Sequence, residues 1–294
     1  MVGVRQFAAR AQAASTRGRT GPRWVRLLLY GTLIGGALVM TLPFLYMLST
    51  SINPNRWTMP DPPTLWPANP TFDNYVRAWG EAGFQQYVIN SLIVSGVTLV
   101  LTFWVATTSA YAFARLRFPA KDKIFTFYLV TMMIPGMIAL LPEFQVMHDF
   151  GLVNSWLGLW VIYVSGSVAF NTFLLRGFFE QLPRDLEDAT LIDGGGRWTV
   201  FFRVLLPLSK PALATLGVFT FLGSWDDFWW ARMLLQNNDI RTLPIGIQLF
   251  FNAHGTQWST VFAATTIAVV PELILFILLQ RYFVSGMYAG SIRG

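Results

Sequence analysis

Long neutral runs separated by clumps of charge set the pattern of the chain. Six runs reach or approach the roughly 20 apolar residues that a helix needs to cross the hydrocarbon core of a bilayer. They cover residues 27–48, 85–114, 124–141, 156–175, 211–231 and 258–280. The pattern predicts an all-α integral membrane protein with six transmembrane helices. The second run is longer than needed and predicts a helix that tilts or emerges at one end. The first run continues from Arg26 to Asn55, too long for a signal-peptide core. No small-residue cleavage pattern closes it, so a retained first helix is expected.

The connections are equally informative. Residues 53–70 hold Pro54, Pro60, Pro62, Pro63, Pro67 and Pro70. Proline removes a backbone donor and blocks helices, so an extended loop is expected there. Trp57 and Trp66 suit a membrane interface. The chain divides into a tail over 1–26, a six-helix domain over 27–283 with an external loop at 49–84, and a second tail over 284–294.

Composition agrees with this solvent. Hydrophobic residues make up 54% and charged residues 12%, against about 25% charge in ordinary soluble domains. The net charge of +6 does not indicate nucleic acid, because the basic residues flank apolar spans and form no aromatic-interleaved patch. They follow the positive-inside pattern instead. Six arginines precede the first run; Arg115, Arg117, Lys121 and Lys123 follow the second. Arg176, Arg184, Arg197, Arg203 and Lys210 follow the fourth, and Arg281 and Arg293 the sixth. The other side holds only Arg56, Arg77, Arg232 and Arg241. Both termini are therefore expected in the cytoplasm, as an even span count also requires. Cysteine is absent, and His148 and His254 lie far apart, so no metal site is expected.

The connection between the fourth and fifth runs, residues 180–206, carries the most specific signal. Pro183 suits a first helical turn, and Asp185 and Glu187 place acids where the helix dipole favours them. Leu186, Ala189 and Thr190 fall at i, i+3 and i+4 on one face. Gly194, Gly195 and Gly196 stop the helix. A helix of about ten residues is ~15 Å long, too short to span a membrane. A second short helix from Arg197 is expected to lead to Pro207 at the start of the fifth span. On these grounds alone the segment is either a connector resting on the membrane or a surface presented to a partner. It is not a phosphate loop, since no strand precedes the glycines and no Gly-Lys-Ser/Thr follows.

The same stretch resembles the cytoplasmic signature of permease subunits from binding-protein-dependent ABC importers. That signature reads Glu-Ala-Ala, three residues, Gly, nine residues, then Ile-x-Leu-Pro. Asp188, Ala189 and Thr190 stand at Glu-Ala-Ala, Asp193-Gly194 keeps the Asp-Gly pair, and 204–207 read Val-Leu-Leu-Pro. Asp188 for Glu and Thr190 for Ala are departures that preserve charge or size. Further stretches resemble the sugar-importer branch, in particular its maltose-transporter-type six-span subunit. These are Asn90-Ser91, residues 110–119, Met133-Ile134-Pro135, Trp225-Asp226-Asp227-Phe228, and residues 280–286 with Gly290 and Gly294.

The resemblance implies a type I ABC importer permease that moves a sugar or sugar-like solute and is not itself an enzyme. It implies a coupling helix, with Leu186, Asp188, Ala189, Thr190, Asp193 and Gly194 meeting an ATPase subunit. The implied partners are a second permease in a heterodimer, two copies of an ABC ATPase and an extracytoplasmic solute-binding protein, in a bacterial or archaeal plasma membrane. No cofactor is expected on this chain; ATP and Mg belong to the partner ATPase. Asn90, Trp225, Asp226 and Asp227 are candidates for the solute pathway, the acids accepting from sugar hydroxyls and Trp225, Trp229 or Trp230 stacking on a ring. The competing reading makes Asp226 and Asp227 an interfacial acid pair near Arg232. Intramembrane acids cost several kcal/mol each and normally face a cavity or a partner, which also applies to Glu272. A secondary transporter would leave the glycine-ended helix without a purpose, and a membrane enzyme needs a nucleophile–base or metal set that the sequence does not offer.

Overall fold

The computed structural model describes residues 22–55, 57–59, 62–80, 83–251 and 256–291, the last nine by backbone alone. The N-terminal tail to residue 21, Arg56, Pro60, His254 and residues 292–294 lie outside the described residues. Helices alone, and no strand, occur among the described residues.

Helix α1 (Arg23–Ser51) starts after Pro22 and ends just before the proline-rich segment. A short helix, α2 (Asp73–Gly80), lies within the external loop expected over 49–84, after its proline-rich stretch. Then come α3 (Phe84–Arg115), α4 (Lys121–Thr131), α5 (Gly136–Asp149) and α6 (Trp156–Gln181). The fourth-to-fifth connection forms α7 (Asp185–Ile192) and α8 (Arg197–Leu208), which contains a π-helical stretch. The remainder is α9 (Lys210–Trp225), α10 (Trp229–Leu234), α11 (Leu243–Gln248) and α12 (Trp258–Ser291).

Four of these helices, α1, α3, α6 and α12, are long and apolar enough to cross a membrane. The pairs α4–α5 and α8–α9, bent by 103° and 78°, raise the number to six if each pair forms one span. The third run is therefore not the straight helix expected over 124–141. Pro135 disfavours helical geometry at Ile134 and supplies no backbone donor, in keeping with the helix breaking before Gly136.

The fifth run also departs from expectation. Its helix starts at Lys210, with Pro211 in the first turn, and stops at Trp225 instead of continuing to residue 231. The Asp227 carboxylate accepts from the Ala231 N–H at 3.0 Å. A side chain that satisfies the orphan donors of the next helix favours a fresh start there. The last helix continues through Ser291.

Helix α3 is the centre of the molecule, with α6 and α9 packed along it, while α12 packs against α1, α2 and α9. One core cluster joins Ala106, Ala110 and Ala114 of α3 to Leu175 and Phe179 of α6 and Phe201 of α8. A second joins Val94, Leu159, Ile162 and Leu234 near the other end. Small residues on α3 let these helices approach closely, which is how helices associate in lipid. The outer surface is apolar. In α1 only Ser49, Thr50 and Ser51 are buried, while leucines such as Leu27 and Leu38 are exposed. That inverted distribution is expected where the solvent is lipid.

Candidate functional site

Two features gather polar groups. The first is α7. Pro183 precedes it, and Asp185, Glu187 and Asp188 occupy its first turn, where the dipole favours acids. It has eight residues and is ~12 Å long, shorter than expected. At its end Gly194 adopts φ +83°, and the Gly195 N–H donates to the Thr190 carbonyl at 2.9 Å. A Cβ on Gly195 would lie 2.8 Å from that same carbonyl oxygen. Left-handed backbone at one glycine and close approach at the next account for two of the three glycines.

The segment is tied down from one side only. Arg115, the last residue of α3, meets the Glu187 carboxylate at 2.6 Å and donates to the Leu182 carbonyl at 2.7 Å. Tyr111, one turn earlier on α3, reaches the Arg197 carbonyl at 3.4 Å. The opposite face is open. Leu186, Asp188, Ala189, Asp193 and Gly194 are exposed, and Thr190 is half-buried with its hydroxyl donating to the Leu186 carbonyl. Leu191 and Ile192, which the periodicity did not single out, are 48% and 85% exposed. An apolar tip of this kind on a small helix ringed by acids is a docking surface in form.

The second feature is a cavity of about 340 Å³ bordered by α5, α6 and α9. Its lining includes Glu143, Tyr163, Ser167, Thr220, Asp227 and Trp230. Asp227 accepts from the Tyr163 hydroxyl at 2.7 Å. Asn171 donates to the Ser167 carbonyl and to Thr220 Oγ1, and Ser167 also meets Thr102 at 3.1 Å. Gly166 and Gly223 line the cavity with nothing within 4 Å of a would-be Cβ, so their lack of a side chain keeps the space open.

The four pathway candidates separate. Asp227 borders this cavity, whereas the other three do not. Asn90 is fully buried and donates to the Asp239 and Arg241 carbonyls, both at 2.8 Å. Next to it, Ser91 accepts from the Leu243 N–H at 2.7 Å. The Asn90-Ser91 pair thus anchors the 239–243 segment on α3. Trp225 is 1% exposed, stacks on Phe221 and donates to the Ala268 carbonyl, a core position. Asp226 faces the Glu272 carboxyl of α12, close enough for the two acids to interact. Arg232, the alternative partner considered for the acids, bonds to neither carboxylate by side chain. Tyr163 and Glu143 were not legible as site residues, since Tyr163 is one of several polar residues in its run and Glu143 lies just past the third run.

Comparison with known proteins follows the same lines. Residues 106–288 match the family described as the binding-protein-dependent transport system inner membrane component. The chain is 34% identical to the sulfoquinovosyl glycerol transport system permease protein SmoH of Agrobacterium fabrum, over 86% of this chain and 88% of that protein. It is 31% identical to the trehalose/maltose transport system permease protein MalG of Thermococcus litoralis, over 91% and 96% respectively. Among solved structures it resembles a chain of a bacterial ABC transporter that imports the acidic polysaccharide alginate. That match has a TM-score of 0.78 at 23% identity and covers 90% of this chain and 99% of the other.

Proposed function

The chain belongs to the family of binding-protein-dependent transport system inner membrane components, and we propose that it is one permease half of an ATP-driven importer for a sugar or sugar-like solute. The relatives named above are permeases of saccharide and glycoside uptake systems, which supports that solute class. The chain carries no catalysis of its own in this reading. A separate ATPase dimer supplies ATP hydrolysis, and an extracytoplasmic binding protein supplies the solute. A second permease completes the passage across a bacterial or archaeal plasma membrane.

The observation that carries the reading is α7. It is too short to cross a bilayer, is ion-paired to the end of α3, and leaves Leu186, Leu191 and Ile192 exposed. The loop charges put it on the cytoplasmic side with both termini. In this reading α7 is the coupling helix: it seats in the ATPase subunit, and its rigid attachment to α3 converts ATPase closure into helix movement. Leu186, Asp188, Ala189, Thr190, Asp193 and Gly194 form the contact, and Leu191 and Ile192 extend it.

The test is affinity purification of the chain from gently solubilised native membranes. The expected result is recovery of a second permease and an ATPase in stable proportion. Recovery of the chain alone, active in proton- or sodium-driven uptake, would overturn the reading in favour of a secondary transporter.

A further inference from the structure

The cavity between α5, α6 and α9 has a charge character that the importer reading does not require. Two carboxyl groups, Glu143 and Asp227, line it, and no lysine, arginine or histidine does so. Its other polar lining consists of hydroxyls, from Thr98, Tyr163, Ser167, Thr220 and Ser224. Carboxylates and hydroxyls offer acceptors at several points, while a carboxylate repels an anion strongly where water is scarce.

The placement is built by the fold. The break at Pro135 turns α5 so that Gly136 and Glu143, seven residues apart and so on one face, both reach the cavity. Glu143 makes no hydrogen bond or ion pair with any described residue, so its acceptors are available. Asp227 accepts from the Tyr163 hydroxyl and the Ala231 N–H through Oδ2, and the Trp229 and Trp230 N–H groups also bear on its carboxylate. Trp230 adds an aromatic side chain to the same lining. Acceptors beside an aromatic face are the combination that fits a hydroxyl-rich ring. The volume of about 340 Å³ lies at the small end of ligand sites.

We propose that this cavity is a solute-contact site on this subunit that admits neutral, hydroxyl-rich solutes and excludes anionic ones. The assignment of solute class rests on the importer reading; the charge of the cavity does not. Glu143 and Asp227 accept from solute hydroxyls, Trp230 covers a ring face, and Gly166 and Gly223 provide the room. A uronate or sulfonate solute finds no cation to pair with here.

The chain has no cysteine, which makes single-cysteine probing direct. Gly166→Cys and Gly223→Cys, in the purified importer complex, are to be treated with methanethiosulfonate reagents of equal size and opposite charge, MTSET (cationic) and MTSES (anionic). Leu186→Cys on α7 serves as the exposed reference. The measurement is made both at rest and with ATP and vanadate. At both cavity positions the cationic reagent is expected to react at least tenfold faster, relative to the reference. Glu143→Gln combined with Asp227→Asn should collapse that ratio towards one. Equal rates before neutralisation would overturn the proposal, as would no reaction in either state. Gly166→Leu and Gly223→Leu test the solute itself, with radiolabelled maltose, cellobiose and maltotriose and with digalacturonate as the anionic probe. Loss of neutral-sugar uptake with ATPase activity retained is expected, and unaltered uptake, or uptake of digalacturonate by the wild-type complex, would refute it. Failure of the importer reading would appear separately, as a wild-type chain that recruits no ATPase.

Discussion

Arg115 and Glu187, 72 positions apart in sequence, meet at 2.6 Å where α3 ends and α7 makes its first turn. Their side chains are only 4% and 17% exposed. Arg115 also holds the Leu182 carbonyl at 2.7 Å, so a single guanidinium fixes both the entry to α7 and its first turn. The other face of α7 is exposed, so this pair is the charged link between α7 and the end of α3.

Breaking this pair from one side should therefore cost more than its Coulomb energy. Removing one partner of a buried pair strands the other, at about 3–5 kcal/mol. Arg115→Met is expected to lower the melting temperature of the purified complex and to reduce uptake more than tenfold. Glu187→Gln, which keeps an acceptor, should be milder. The exchanged pair Arg115→Glu with Glu187→Arg should restore only part of the loss, since a glutamate cannot donate to the Leu182 carbonyl. Full restoration would show that Leu182 is irrelevant.

The three glycines after α7 should differ in their tolerance of alanine. Gly196 has φ −96° and open space around it, so Gly196→Ala should be silent. Gly194 has φ +83°, where a Cβ costs about 1–2 kcal/mol. Gly195→Ala places its Cβ against the Thr190 backbone oxygen and should be worst. Uptake rates and thermal stability of the three variants, compared side by side, check the order 196, 194, 195.

Substitutions on the open face of α7 should leave the fold intact. Ile192 is 85% exposed, so Ile192→Glu removes little buried area, and Asp188→Lys disturbs no ion pair. Both variants are expected to insert and melt like wild type, to co-purify with less ATPase, and to lose uptake. Normal uptake in both would remove α7 from the coupling role.

Asn90→Ala should act on stability and leave solute preference unchanged. It abandons two buried carbonyls, at about 1–3 kcal/mol for stranded polar groups, and frees the segment around Arg241. Faster tryptic cleavage at Arg241 in membranes, with the ranking of transported sugars unaltered, is the expected pair of results. An altered ranking would return Asn90 to the solute pathway.

The helical class, the apolar runs and the glycine-stopped helix were legible in sequence because each depends on near neighbours. A run of apolar residues has no stable state in lipid except a helix, and glycine acts on its own backbone. Pro135 and the pair Asp226-Asp227 were visible as well, but their effect, a break in place of a continuous span, depends on what the neighbouring helices satisfy. The roles of individual polar residues were not legible. Asn90 and Asp227 look alike in sequence, each a polar group within an apolar run, yet Asn90 is spent on the 239–241 backbone and Asp227 borders a cavity.

What the chain alone determined, then, is its solvent, its helices and the surface helix between the fourth and fifth runs. Only the tertiary structure decided that Arg115 would lock that helix through Glu187, and that Tyr163, Glu143 and Asp227 would converge on one space. Helix formation is set by residues three and four apart, whereas a pair or a cavity is set by which faces of distant helices meet.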